Sequence, residues 1–161
     1  MSRPQFQLVP GHADREPYVS FCGHCGVRPM GGDVNSRVCE SCHLGMIVSA
    51  PESLAPEVHE AFIIVDGKLQ ICAVSQQAEI LLGAPEADIV QDRLTEVLLP
   101  ADGDLAGIEH MIATISHAVR GQETFDDLVV RPAREWGIRW FTRVGPCTAP
   151  SAALIVLAPD G

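Results

Sequence analysis

The run Phe62-Ile63-Ile64-Val65-Asp66-Gly67-Lys68-Leu69-Gln70-Ile71-Cys72-Ala73-Val74-Ser75-Gln76-Gln77-Ala78-Glu79-Ile80-Leu81-Leu82-Gly83 decides how the rest of the chain is read. Phe62 to Val65 is an unbroken apolar strand. Asp66-Gly67 is a tight-turn signal, and Leu69 to Val74 supplies a second strand, so the opening reads as a hairpin. Ser75 carries a hydroxyl suited to capping a helix over Gln76 to Leu82, and Gly83 can end that helix in the left-handed conformation.

Working outward towards the C-terminus, Pro85 can open a short helix through about Val90, since its fixed φ suits a first turn. A third helical piece spans Leu94 to Leu99 and stops at Pro100. The longest helix runs from about Leu105 to Arg120 and ends at Gly121. At 100° per residue, Leu105, Ile108, Met111, Ile112, Ile115 and Val119 share one face. Three strands follow, at about Thr124 to Arg131, Gly137 to Val144 and Ala152 to Leu157. In the middle one Ile138, Trp140, Thr142 and Val144 alternate with Arg139, Phe141 and Arg143.

Towards the N-terminus four cysteines stand in two Cys-x-x-Cys pairs, Cys22/Cys25 and Cys39/Cys42, with thirteen residues between the pairs. Two such turns on a folded-back hairpin aim four sulfurs at one centre, as a tetrahedral thiolate site requires. Turn formers fill the gap: Gly26, Pro29, Gly31, Gly32, Asp33 and Asn35. A segment this short buries too little apolar surface to fold alone, and a bound ion supplies the missing stability. Zn2+ is the expected metal, and iron in the same four-sulfur site is an alternative. His24 and His43 read as exposed knuckle residues, because four sulfurs already complete the tetrahedron.

These elements give the chain its expected organisation. Residues 1–20 form a flexible tail, 21–48 a zinc ribbon and 49–56 a proline-containing linker. Residues 57–158 form one α+β domain. The two knuckles, Cys22-Gly23-His24-Cys25-Gly26 and Cys39-Glu40-Ser41-Cys42, resemble those of rubredoxin-like zinc ribbons. The rear segment resembles a PAS domain, on Phe62 to Asp66 and on the polar helix start and Leu-Gly stop of Val74 to Gly83. That resemblance implies a five-stranded antiparallel sheet with helices on one face. It also implies binding of a small molecule or a protein partner, and pairing into a homodimer through the PAS domain. A ribbon followed by a PAS domain is suggestive of a bacterial signalling protein. The apolar run Ala153 to Leu157 and an exposed helix are the surfaces expected to serve the pairing. A ligand pocket between sheet and helix would involve Ile64, Ile112, Ile115 and Trp140.

Composition narrows the function classes. The 161 residues carry a net charge of −10. Residues 1–50 balance, with Arg3, Arg15, Arg28 and Arg37 against Asp14, Glu16, Asp33 and Glu40, so residues 51–161 carry the whole excess. Lys68 is the sole lysine. Binding to phosphate backbones or anionic lipid needs clustered cations, so nucleic acid and membrane are disfavoured as partners. No apolar run approaches the ~20 residues of a spanning helix. The N-terminus lacks a secretory apolar stretch, and paired free thiols suit a reducing, cytoplasmic setting.

Other chemistry is disfavoured on specific residues. Cys39-Glu40-Ser41-Cys42-His43 fits covalent haem attachment, with Met46 as an axial candidate, but that reading leaves Cys22 and Cys25 unused. His110 and His117 lie seven apart on the long helix, opposite its apolar face, and so point away from any haem pocket. Flavin-binding PAS domains place a reactive cysteine after the first helices, whereas Ile89 to Leu99 holds none. Cys72 and Cys147 read as small buried hydrophobes. No phosphate loop, His-Glu-x-x-His or Gly-x-Ser-x-Gly occurs. The expectation is a non-enzymatic regulatory module without haem or flavin, acting through an unknown signalling partner. A transcription adapter whose ribbon touches nucleic acid or RNA polymerase is one rival class, and a haem or redox electron-transfer protein is another.

Overall fold

The computed structural model describes residues 15–31, 36–121, 123–148 and 151–159. Residues 1–14, most of the expected tail, lie outside the described residues, as do Gly32, Asp33 and Asn35 of the ribbon's turn.

Two sheets are present among the described residues. The small one pairs β1 (Tyr18–Cys22) with β2 (Ile47–Pro51), antiparallel, with Cys22 opposite Ile47. The large one is antiparallel throughout. It contains β3 (Ala61–Val65), β4 (Ile71–Val74), β5 (Leu98–Pro100), β6 (Val129–Pro132), β7 (Trp140–Cys147) and β8 (Ala152–Ala158), in the order β4-β3-β8-β7-β6-β5. All five expected strands occur. The sixth, β5, is a short edge strand paired with β6. It takes the last residues of the expected third helix. That helix, α3, spans only Leu94–Val97, because Leu98 turns extended and pairs with Pro132.

The other helices are α1 (Gln76–Leu82), α2 (Glu86–Ile89) and α4 (Leu105–Val119). Ser75 caps α1 by accepting from the Ala78 N–H, and Gly83 closes it at φ 66°. Asp104 caps α4 through the Gly107 N–H. The β3–β4 turn is organised by Asp66, whose Oδ1 accepts from the Lys68 and Gln70 N–H groups at 2.8 and 3.0 Å.

The face that α4 buries differs from the expected one. Met111, Thr114, Ile115 and Ala118 face the sheet, whereas Leu105 and Ile112 are exposed. Ala118 is small enough to let the helix approach the strands closely. This rotates the buried stripe by about one residue away from Leu105, Ile108 and Ile112. His110 and His117 are exposed, as the helical wheel predicts.

The sheet is covered on both faces. On one, Ile63, Val65, Ile155, Val144, Trp140 and Val130 pack against α4 and the short helices. On the other, Phe62, Ile64, Leu154, Val156 and Cys147 pack against Phe21, Val48, Ala50, Leu54 and Ala55. Phe21 and Phe62 meet edge to face with ring centroids 5.6 Å apart. The stretch read as a linker, 49–56, therefore contributes the second half of β2 and the core side chains Ala50, Leu54 and Ala55. The chain from 47 to 55 is held on the sheet by these contacts and by paired backbone bonds between Ser49 and Thr148. The run Ala153 to Leu157, offered as a pairing surface, lies in β8 at the centre of the sheet and is fully buried.

The rotation of α4 is testable. Ile115→Ala should cost about 2–5 kcal/mol in chemical denaturation, as deletion of a packed aliphatic side chain does. Ile112→Ala should cost about 0.5 kcal/mol or less, the range of surface substitutions. Equal losses would mean that the helix buries its Ile112 side.

Candidate metal centre

The ends of β1 and β2 carry the site. Cys22 closes β1, and the chain then turns back so that the Gly26 N–H donates to the Cys22 carbonyl at 3.0 Å, with Gly26 at φ 73°. Cys25 is thereby brought beside Cys22. In the second knuckle the Cys39 N–H donates to the Gly45 carbonyl and the His43 N–H to the Cys39 carbonyl. His43 takes a positive φ of 57° to make this turn.

The four sulfurs lie within 4.8 Å of one another. Cys22 and Cys42 sulfurs are 3.6 Å apart, and those of Cys25 and Cys39 are 3.7 Å apart. A tetrahedron with metal–sulfur bonds of about 2.3 Å has edges of about 3.8 Å, so the constellation matches a four-thiolate ion. These cysteines can hold a metal ion, and no other group of three or more ligating side chains comes together among the described residues.

Backbone donors surround the sulfurs. The His24 and Cys25 N–H groups both point at Cys22 Sγ at 3.4 Å, and the Gly45 N–H points at Cys42 Sγ at 3.5 Å. Such bonds stabilise thiolate charge and fix sulfur orientation. The electrostatics divide the set. Burial pushes the Cys22 thiol up to about 12. Burial also acts upward on Cys42, but the Gly45 and Leu44 N–H groups and the neighbouring sulfurs outweigh it and bring that thiol down to about 6. Cys39 is lowered like Cys42 by N–H groups of its own knuckle, and burial raises Cys25 like Cys22, so the first-knuckle sulfurs gain their charge when an ion compensates it.

Gly45 was not singled out in the sequence, yet a Cβ there would collide with Cys22 Sγ and lie 2.8 Å from His24 Cβ. Its position three residues after Cys42 was the available signal. His24 also departs from its expected role. It is largely covered, its carbonyl accepts from the Gln76 N–H at 2.8 Å, and its Nδ1 lies 3.4 Å from Glu86 Oε2. The first knuckle is therefore tied to the start of α1. His43 is exposed, as expected.

The four residues expected to line a pocket are not brought together. Ile115 and Trp140 sit in the helix-side core. Ile64 faces the ribbon from the opposite side of the sheet, and Ile112 points outward. Alternation along β3 puts Ile64 opposite its neighbours Ile63 and Val65. Of the two remaining cysteines, Cys147 is buried as expected, but Cys72 is exposed.

No protein-family model matches the chain, and no curated protein matches it. Among solved structures, the PAS domain of the Cronobacter turicensis quorum-sensing receptor RpfR, in complex with BDSF, superposes with a TM-score of 0.51 at 10% identity. The match covers 67% of this chain and 100% of that one. The PAS domain of nitrogen regulation protein NR(II) from Vibrio parahaemolyticus gives 0.43 at 21% identity, over 64% of this chain and 91% of that one. The PAS domain of an HTR-like protein from Haloarcula marismortui gives 0.43 at 12% identity, over 61% and 82%. The first of these likenesses establishes a PAS-like fold for the α+β unit.

Two outcomes follow from the geometry of the centre. Gly45→Ala should weaken metal affinity by about tenfold to a hundredfold, as disturbed support of a ligand does. Acidification should release the ion, because protons compete for the thiolates. A chelating dye reads both, and unchanged affinity in the glycine variant would remove Gly45 from the site.

Proposed function

We propose that the chain is a non-enzymatic sensory or regulatory module in which a structural zinc ribbon is docked on a PAS domain. The observation that carries this reading is the four-sulfur constellation at the edge spacing of a tetrahedral Zn2+ site. Four thiolates leave no open coordination position, so the ion's work is structural. The docked ribbon supports a further step: metal loading governs whether the outer face of the sheet is covered. The PAS unit then acts by recognition, taking a small molecule or a signalling partner and pairing with a second copy. Exposed Leu105 and Ile112 on α4 offer an apolar stripe for that pairing. No helix among the described residues is long and apolar enough to cross a membrane. A reducing cytoplasmic setting, which suits free thiols, is part of the proposal.

Native mass spectrometry and elemental analysis of untreated protein test the reading together. The expected result is one zinc per chain, a dimer mass and no haem or iron–sulfur absorbance. Cys39→Ser should lose the metal and expose the sheet's outer face, which a hydrophobic dye reports as a rise in fluorescence. Full metal content in that variant would end the four-thiolate assignment.

A further inference from the structure

Between the ribbon and the outer face of the sheet lies a cavity of about 250 Å³. It is distinct from the four-sulfur centre and lies on the side of the sheet away from α4. Ile64, Ala73 and Cys147 form its floor, and Met46 and Val48 its roof. A cavity of roughly 150 Å³ lined by aliphatic side chains already holds benzene, so this one is large enough for a small organic molecule.

Its polar lining is one-sided. Asp66 and Glu86 stand in the wall, and no lysine or arginine does. Glu86 uses Oε1 to accept from the Val74 N–H at 3.0 Å. Its Oε2 faces His24 Nδ1 at 3.4 Å, off the line of a hydrogen bond, and that nitrogen is buried with no hydrogen-bond partner. Asp66 binds its own turn through Oδ1. Buried polar atoms normally find partners, and an orphaned one in a cavity wall points to a missing group.

The geometry points to a binding site for a small apolar primary ammonium, with its hydrocarbon body on Ile64, Ala73 and Met46 and its charged head on Glu86 Oε2. A head group donating there also comes within reach of His24 Nδ1. Asp66 adds negative potential, and an anion of the same shape is repelled. Because the ribbon supplies one wall and the sheet the other, occupancy favours the docked state over the undocked one by linkage. The inference leans on the proposed function for the metal-held ribbon alone.

The test uses the full chain and three probes of one shape: benzylamine, benzyl alcohol and benzoate. Amide resonances of Met46 and Ala73 should shift saturably with benzylamine, about tenfold more tightly than with the alcohol, as a charge-assisted hydrogen bond provides. Benzoate should leave them unmoved. Glu86→Gln keeps an oxygen for the Val74 N–H but loses the charge, so it should abolish the preference for the amine and leave alcohol binding unchanged. Should that variant fail to fold, Asp66→Asn should reduce the same preference. Absence of a saturable shift with benzylamine, or equal binding of benzoate, overturns the site. Metal content measured on the same sample keeps the two readings apart: zinc-loaded protein indifferent to benzylamine sinks the cavity and spares the ribbon, and metal-free protein that still binds the amine does the reverse.

Discussion

The central strands of the large sheet are apolar on both faces, and this constraint shapes the rest of the molecule. β3 is Ala-Phe-Ile-Ile-Val and is buried at every position, and β8 is buried from Ala152 to Leu157. One layer of helices can cover only Ile63, Val65 and their neighbours. The opposite set, Phe62, Ile64, Leu154 and Val156, needs a second layer, and fully burying each such side chain contributes about 1.5–3 kcal/mol. The small β1–β2 sheet and the turn carrying Leu54 and Ala55 provide it.

That second layer is itself too small to hold a shape by packing alone. Its strands are short, and its own apolar complement is little more than Phe21, Val48, Ala50, Leu54 and Ala55. Closing the two knuckles around four sulfurs fixes the distal end of the hairpin, while contact with the sheet fixes the proximal end. The dependence is mutual: the ribbon needs the sheet's apolar face, and that face needs the ribbon to stay dry. Glu86, His24 and Gln76 carry the coupling across the junction in polar contacts, from the first knuckle to the start of α1 and α2.

Much of this was legible in the residues. The two Cys-x-x-Cys turns marked the four cysteines that come together, because each needs only local backbone geometry to aim its sulfurs. The Ser75 cap and the Gly83 stop set the ends of α1 for the same reason, as capping is settled within a few residues. The order of strands and helices led to the PAS-like fold. What misled was treating one-dimensional patterns as though each element had a single partner. Unbroken apolar runs at Phe62–Val65 and Ala152–Leu157 were already the mark of strands covered on both sides. The resemblance to a PAS domain implied cover on one face only, and the run Ala153 to Leu157 was assigned to pairing between copies.

The sequence by itself determined which four cysteines come together, the four helices, five of the six strands of the large sheet and the acidic character of residues 51–161, since all of these depend on residue type and short-range spacing. Tertiary structure alone decided that the ribbon lies on the sheet, that α4 presents Ile115 and not Ile112 to the strands, and that Gly45 must lack a side chain beside Cys22. It also decided that Ile64 turns its back on Ile115 and faces a cavity walled by Glu86 and His24. Those outcomes depend on how bodies distant in sequence fit together. Packing density and close approach between surfaces set them, and periodicity along one strand or helix carries no record of what will be laid against it.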